Sequence, residues 1–155
     1  MKNIKKYKNV IAIGAIVFLS GLYYLVANNV IPYSLDEHRV RKVYVGEKSF
    51  KMEMVDEPKY LIKGLGGRRF MCQNCGMFFD FNRKNNHGIW MKDMNFDLDI
   101  IWVLEGKIVW IEESVSYEDS LRVYGERVTS DAVLEISDGL VEKYNIKVGD
   151  NVTVR

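Results

Sequence analysis

With 155 residues, 48% of them apolar and including nine Tyr, seven Phe and three Trp, the chain suits one ordinary domain plus an appendage, not two full domains. Two prolines in all exclude a long disordered or low-complexity chain. The net charge of +1 is unevenly spread: the first 31 residues hold four lysines and no acid, so 32–155 carry 22 − 4 = 18 basic against 21 acidic residues, a net of −3, with no basic stripe for a nucleic-acid partner.

Lys2, Lys5, Lys6 and Lys8 form a basic tail, residues 1–9, ahead of the uncharged run VIAIGAIVFLSGLYYLVA at 10–27. As a helix this run spans about 27 Å, close to the roughly 30 Å of a hydrocarbon core. Val30 and Ile31 extend it past Asn28 and Asn29, and Tyr23 and Tyr24 lie in its outer third, where amphipathic rings favour the interface. The expectation is a transmembrane signal-anchor over 10–31. It crosses the cell membrane once, with the lysine tail cytoplasmic and the remainder extracytoplasmic. A cleaved signal peptide is the rival; cleavage would follow Ala27, but Leu25 is too large two positions earlier and the run exceeds a usual signal core. A buried helix is the third reading. Residues 32–42 read as a polar stalk.

The exported part, 43–154, is rich in strand signals. VYVGEKSFKMEMV (43–55) alternates Phe50, Met52 and Met54 against Lys51, Glu53 and Val55, as in a half-buried strand, with a turn at Gly46–Lys48 that makes a hairpin. DEPKYLIKGLGGRRF (56–70) opens on a helix start signal and ends in glycines, predicting one or two helical turns. GMFFDF (76–81) is a short aromatic strand. LDIIWVL (98–104) and KIVWIEES (107–114) flank Glu105–Gly106, a two-residue hairpin turn. Residues 115–130 are irregular, and DAVLEI (131–136) is a strand. Ser137 can cap a short helix to Tyr144, and KVGDNVTV turns at Gly149–Asp150 into a last strand. These elements predict a mostly β (α+β) fold, a compact small β-barrel or sandwich with one or two short helices, and not a βαβ fold.

Several local signatures fall in order: Gly64–Leu65 with Arg68, Gly76–Met77–Phe78, Trp90–Met91–Lys92, Leu98–Asp99–Ile100–Ile101, Val133–Leu134–Glu135–Ile136 and Ile146–Lys147–Val148–Gly149–Asp150. The series resembles the prokaryotic family called domain of unknown function 192, over roughly 43–154. The resemblance implies a compact β-rich domain, often behind an export signal or lipid anchor, and implies no particular reaction. The chain departs from the family pattern at three places. Asp93 stands where Asn is common, Asp97 where Pro is common, and a cysteine pair occupies a loop that is usually acidic and cysteine-free.

Charge gathers where GIWMKDMNFDLDIIW (88–102) enters its strand. If Leu104 pairs with Lys107, partner numbers sum to 211 and Asp99 lies opposite Glu112 at the open end of the hairpin. One face then holds Asp99, Ile101, Val103, Ile108, Trp110 and Glu112, and both faces are apolar enough to be covered. Opposed carboxylates are unfavourable unless a cation or a proton intervenes, and Lys92 and Arg68 are the candidate partners. Three readings stay open: a structural ion pair, a ligand site built from Trp90, Lys92, Asp93, Asp99, Glu112 and Arg68, and acid–base catalysis by Asp99 or Glu112. No catalytic residue is assigned.

Cys72 and Cys75 are the only cysteines. In an oxidising exterior they close a local disulfide worth about 2 kcal/mol in the loop-entropy account. A redox dithiol normally starts a helix, and a strand follows here. A zinc site would need further donors, the nearest being His87 and Asp80, with His38 in the stalk. Disulfide, metal, redox and free-thiol readings all remain, and no cofactor is predicted.

The function expected from these features is a membrane-anchored envelope module that binds a small ligand or an envelope partner. A thiol-redox or metal protein on Cys72 and Cys75 is one alternative, and a carboxylate-based hydrolytic enzyme another.

Overall fold

The computed structural model describes residues 39–155. The basic tail, the expected anchor over 10–31 and the first part of the expected stalk lie outside the described residues. Among the described residues, no helix is long and apolar enough to cross a membrane.

The elements in chain order are β1 (Arg39–Val45), β2 (Lys48–Val55), α1 (Pro58–Lys63), β3 (Cys75–Asn86), β4 (Ile89–Trp90), β5 (Leu98–Leu104), β6 (Lys107–Val115), β7 (Val123–Tyr124), β8 (Thr129–Ser137), α2 (Leu140–Tyr144) and β9 (Val152–Val154). Seven strands form one sheet in the order β6-β5-β8-β3-β2-β1-β9, and β4 pairs with β7 apart from it. The fold is mostly β, a half-barrel of curled sheet with two short helices. Its outer strands are tied at one end, where Ile108 N–H donates to Asp150 O (3.0 Å), Gly149 N–H to Ile108 O (2.9 Å) and Val152 N–H to Gly106 O (2.8 Å).

Two expectations about the early strands need correction. β1 already begins at Arg39, so residues 39–42 of the expected stalk pair with 51–54 of β2. β2 and β3 are parallel, although a βαβ connection was not expected. Parallel neighbours cannot be joined by a tight turn, and α1 with the loop 64–74 makes the crossover. Pro58 opens α1 with its fixed φ, and Gly64 ends it at φ 50°.

Both faces of the central strands are covered. Leu98, Ile100 and Trp102 pack with Met77, Phe79 and Val133 in one core. Ile101 and Val103 pack with Phe50, Met52, Leu134 and Ile136 in the other. Trp102 closes the first core: its indole N–H donates to His87 O at 2.7 Å. Gly125 makes room for that indole, because a Cβ there would come within 2.3 Å of it, at a φ of +66° that glycine adopts without strain.

The β5–β6 hairpin turns as expected at Glu105–Gly106, whose φ values of 52° and 72° suit a two-residue hairpin loop. Two irregularities then shift the register, between Trp102 and Val103 and between Leu98 and Ile100. Each inserts an extra residue in β6, the ordinary effect of a bulge. Ile100 therefore faces Glu112, and the expected Asp99–Glu112 pairing does not form. Trp110 is turned out to solvent and donates to Glu112 Oε1 at 3.0 Å. The expected Ser137 cap is also replaced: α2 follows Gly139 with no side-chain cap from the flanking residue. Asp99 reaches it from β5 instead and accepts the Val141 N–H at 2.8 Å.

Candidate functional site

One row of side chains crosses four strands. Glu53 on β2 lies beside Met77 on β3, Met77 beside Glu135 on β8, and Glu135 beside Ile100 on β5. At about 4.8 Å per strand, the backbones of the two acids are roughly 10 Å apart. Both carboxyls are withdrawn from water, Glu53 at 0% exposure and Glu135 at 4%.

Arg68 comes to this row from the crossover loop. Its Nη1 and Nη2 donate to both oxygens of Glu53, with Nη2–Oε2 at 2.9 Å, the bidentate arrangement that matches a carboxylate. Burial raises the Glu53 carboxyl to about 7, while the guanidinium bonds favour its ionised form. Burial also lowers Arg68. Glu135 is pushed up to about 8 by burial, with Arg68 pulling the other way. Its Oε2 is buried without a hydrogen-bond partner, a state it shares among the described residues only with Ser130 Oγ.

Above Glu135 lies a cavity of about 40 Å³. Glu135 and Phe79 line its base, the Lys63–Gly66 turn one wall, and Trp90 with Lys92 the other. That volume holds a few waters or a head group of two or three heavy atoms. The walls nearly meet at Gly66, where a Cβ would lie 2.9 Å from Lys63 O and 3.3 Å from Lys92 O. They are stitched together by Gly67 N–H to Asp93 O (2.8 Å) and Asn95 Nδ2 to Arg68 O (2.8 Å). Trp90 stays 46% exposed at the rim, and Lys92 Nζ sits 5.3 Å from its ring centroid, in cation–π range.

Of the residues singled out from the sequence, Arg68, Trp90 and Lys92 converge here, and Asp93 supports them through its backbone at φ 60°. The others lie elsewhere. Asp99 is buried, and its two oxygens accept Ser114 N–H (2.9 Å) and Val141 N–H (2.8 Å), so it braces the β6 bulge and the start of α2. Glu112 is held by Trp110 on the outside of β6. Cys72 and Cys75 form a disulfide with Cα atoms 5.2 Å apart; in this form the pair offers no thiolate to a metal. His87 stacks on Phe81 (centroids 3.7 Å apart, planes at 5°) with Nε2 3.1 Å from Arg83 O, a packing role. Among the described residues no group of three or more His, Cys, Asp or Glu is placed to hold a metal ion.

Sequence reasoning missed both acids of the row. The alternation of β2 puts Glu53 on its polar side with Lys51, but only Lys51 stays exposed there; Glu53 and Val55 are buried, and Arg68 of the crossover loop meets Glu53. Glu135 carried a usable signal: an acid set within the apolar stretch AVLEI (132–136), a run apolar enough to be an interior strand.

The family with the description "Uncharacterized ACR", domain of unknown function 192 (DUF192), matches residues 41–154. The chain belongs to this family. Three of the segments by which the sequence resembles DUF192, Gly64–Leu65 with Arg68, Trp90–Met91–Lys92 and Val133–Leu134–Glu135–Ile136, supply the walls and base of the cleft. No curated protein matches the chain. Two solved structures share the DUF192 domain's fold. A Sinorhizobium meliloti protein described as a candidate transcription regulator is 25% identical with a TM-score of 0.72, covering 76% of this chain and 95% of its own. A Novosphingobium aromaticivorans protein of unknown function is 24% identical with a TM-score of 0.68, covering 79% of this chain and 97% of its own.

Proposed function

We propose that this DUF192 chain is a membrane-anchored binding module of the cell envelope that takes a small polar ligand in the cleft above Glu135. One observation carries the site: a carboxyl oxygen, buried and without a hydrogen-bond partner among the described residues, lies at the base of a cavity that opens beside an exposed tryptophan. Leaving a buried polar atom unsatisfied costs about 1–3 kcal/mol, so a ligand that completes its hydrogen bonding gains what the fold alone forgoes. The envelope placement is supported by the lysine-flanked apolar run at 10–31. The regulator description of the S. meliloti protein is not carried over, because residues 32–155 hold 18 basic against 21 acidic residues and no basic stripe.

The test is a two-dimensional amide NMR titration of the full-length chain with sodium acetate, acetamide and methylammonium chloride in turn. At least one probe should shift the Trp90 indole and the Gly64 and Gly66 amide signals saturably, and Glu135→Leu should remove the response. If none of the three gives a saturable shift at these positions, the cleft is not a binding site.

A further inference from the structure

The chemical class of the ligand follows from the groups that face the unpartnered oxygen. Glu135 Oε2 lies beneath the Gly64 turn, 4.0 Å from where a Cβ of Gly64 would stand. Its flanking neighbours in the sheet, Met77 on β3 and Ile100 on β5, carry no charge. The charge that acts on it is Arg68, which is engaged with Glu53; the residues lining the cleft add Lys63 and Lys92 and no second acid, while Asp93 stands behind Gly66. An ammonium ligand would enter a site already rich in positive charge.

We propose that the cleft takes the carboxylate of a small organic acid, with the Glu135 carboxyl donating a hydrogen bond to one of its oxygens and Lys92 pairing with its charge at the mouth. This rests on the binding role proposed above. The space of about 40 Å³ suits a carboxylate group, and the rest of a small acid would lie against Trp90 at the rim. Burial, which pushes Glu135 up to about 8, supplies the proton that makes it a donor at neutral pH. Lys92 adds the charge-assisted contact that a neutral amide or alcohol would leave unused.

The same NMR titration separates the two claims. Acetate should bind at pH 6.5, with acetamide weaker and methylammonium without effect. If the donor must carry its proton, acetate binding to the unmodified chain should weaken about tenfold by pH 9. Glu135→Gln keeps a donor in place, so it should hold acetate within about threefold at pH 6.5 and lose the pH dependence. Because Glu53 still titrates in that variant, a pH dependence that persisted would belong to the Glu53–Arg68 pair and would overturn the proposal. Lys92→Met, at an exposed position, should weaken acetate about tenfold without unfolding the domain. Comparing propionate with N-acetyl-alanyl-alanine distinguishes a free acid from a peptide C terminus. The free acid should bind at least as well, and a tenfold preference for the peptide would overturn the small-acid assignment. Saturable binding of acetamide or methylammonium in place of acetate would overturn the carboxylate inference and leave the binding role standing; silence from all three probes would end both.

Discussion

Glu135→Gln should make the protein more stable, by an amount set by pH. The native carboxyl sits at about 8 against an ordinary value of 4.5, a difference of 8 − 4.5 = 3.5. Below pH 4.5 the carboxyl is neutral in both the folded and the unfolded chain, and the near-isosteric amide should cost or gain little. Between pH 4.5 and 8 the unfolded chain releases this proton while the folded one keeps it, so the unmodified protein loses stability as pH rises. At 1.36 kcal/mol per unit the loss reaches about 5 kcal/mol, with a slope of up to about 1.4 kcal/mol per pH unit, and it levels off above pH 8. Glutamine has no such proton to lose. Glu53 titrates in both proteins, so its contribution cancels in the difference. Urea unfolding of the full-length chain and the variant from pH 4 to 9, followed by tryptophan fluorescence, gives the difference directly. A difference that stays flat across this range would show that Glu135 is not held above its ordinary titration range, and the donor role assigned to it would go with it.

Three further outcomes test the structural assignments by urea unfolding. Arg68→Met leaves the Glu53 carboxylate buried without its bidentate partner and should cost about 3–5 kcal/mol at pH 8; a loss below 1 kcal/mol would remove Arg68 as its counter-charge. Asp99→Asn replaces one acceptor oxygen by an N–H donor facing a backbone amide and should cost about 2–4 kcal/mol, whereas a surface acid at this place would cost almost nothing. Cys72→Ser with Cys75→Ser should cost about 2 kcal/mol for so short a loop, and thiol titration of the unmodified chain without reductant should find no free thiol.

The strands and turns of this domain are legible because their signals are local. The Glu105–Gly106 turn and the alternation in β2 can be read from neighbouring residues alone. What decides the site is not local. The pairing of Asp99 with Glu112 fails through two irregularities in the β5–β6 register, and nothing in LDIIWVL or KIVWIEES announces them. Once the extra residues are in place, Ser114 N–H turns onto Asp99, and the aspartate becomes a brace between β6 and α2. Arg68, Trp90 and Lys92 were found because they stand in the motifs of the family resemblance. Glu53 was missed because alternation within one strand does not reveal that the crossover loop brings Arg68 onto that face. Glu135 was missed because an acid in a strand is ordinarily given to solvent, and only the sheet order shows β8 lying between β5 and β3.

The row Glu53–Met77–Glu135–Ile100 shows what the sheet itself requires at these positions, since two of its four places are filled by apolar side chains. Apolar residues at 53 and 135 would suit the same core, and replacing buried charged groups in this way is often neutral or stabilising by about 1–4 kcal/mol. Glu53 has a structural justification: through it Arg68 fixes the crossover loop, and that loop carries Gly64 and Gly66 to the cleft. Glu135 has none of this kind. Among the described residues it pins no backbone amide, and its Oε2 meets no hydrogen-bond partner. The fold thus satisfies one acid internally and leaves the other waiting beneath a small opening. A structural role accounts for the first, and the proposed ligand would account for the second.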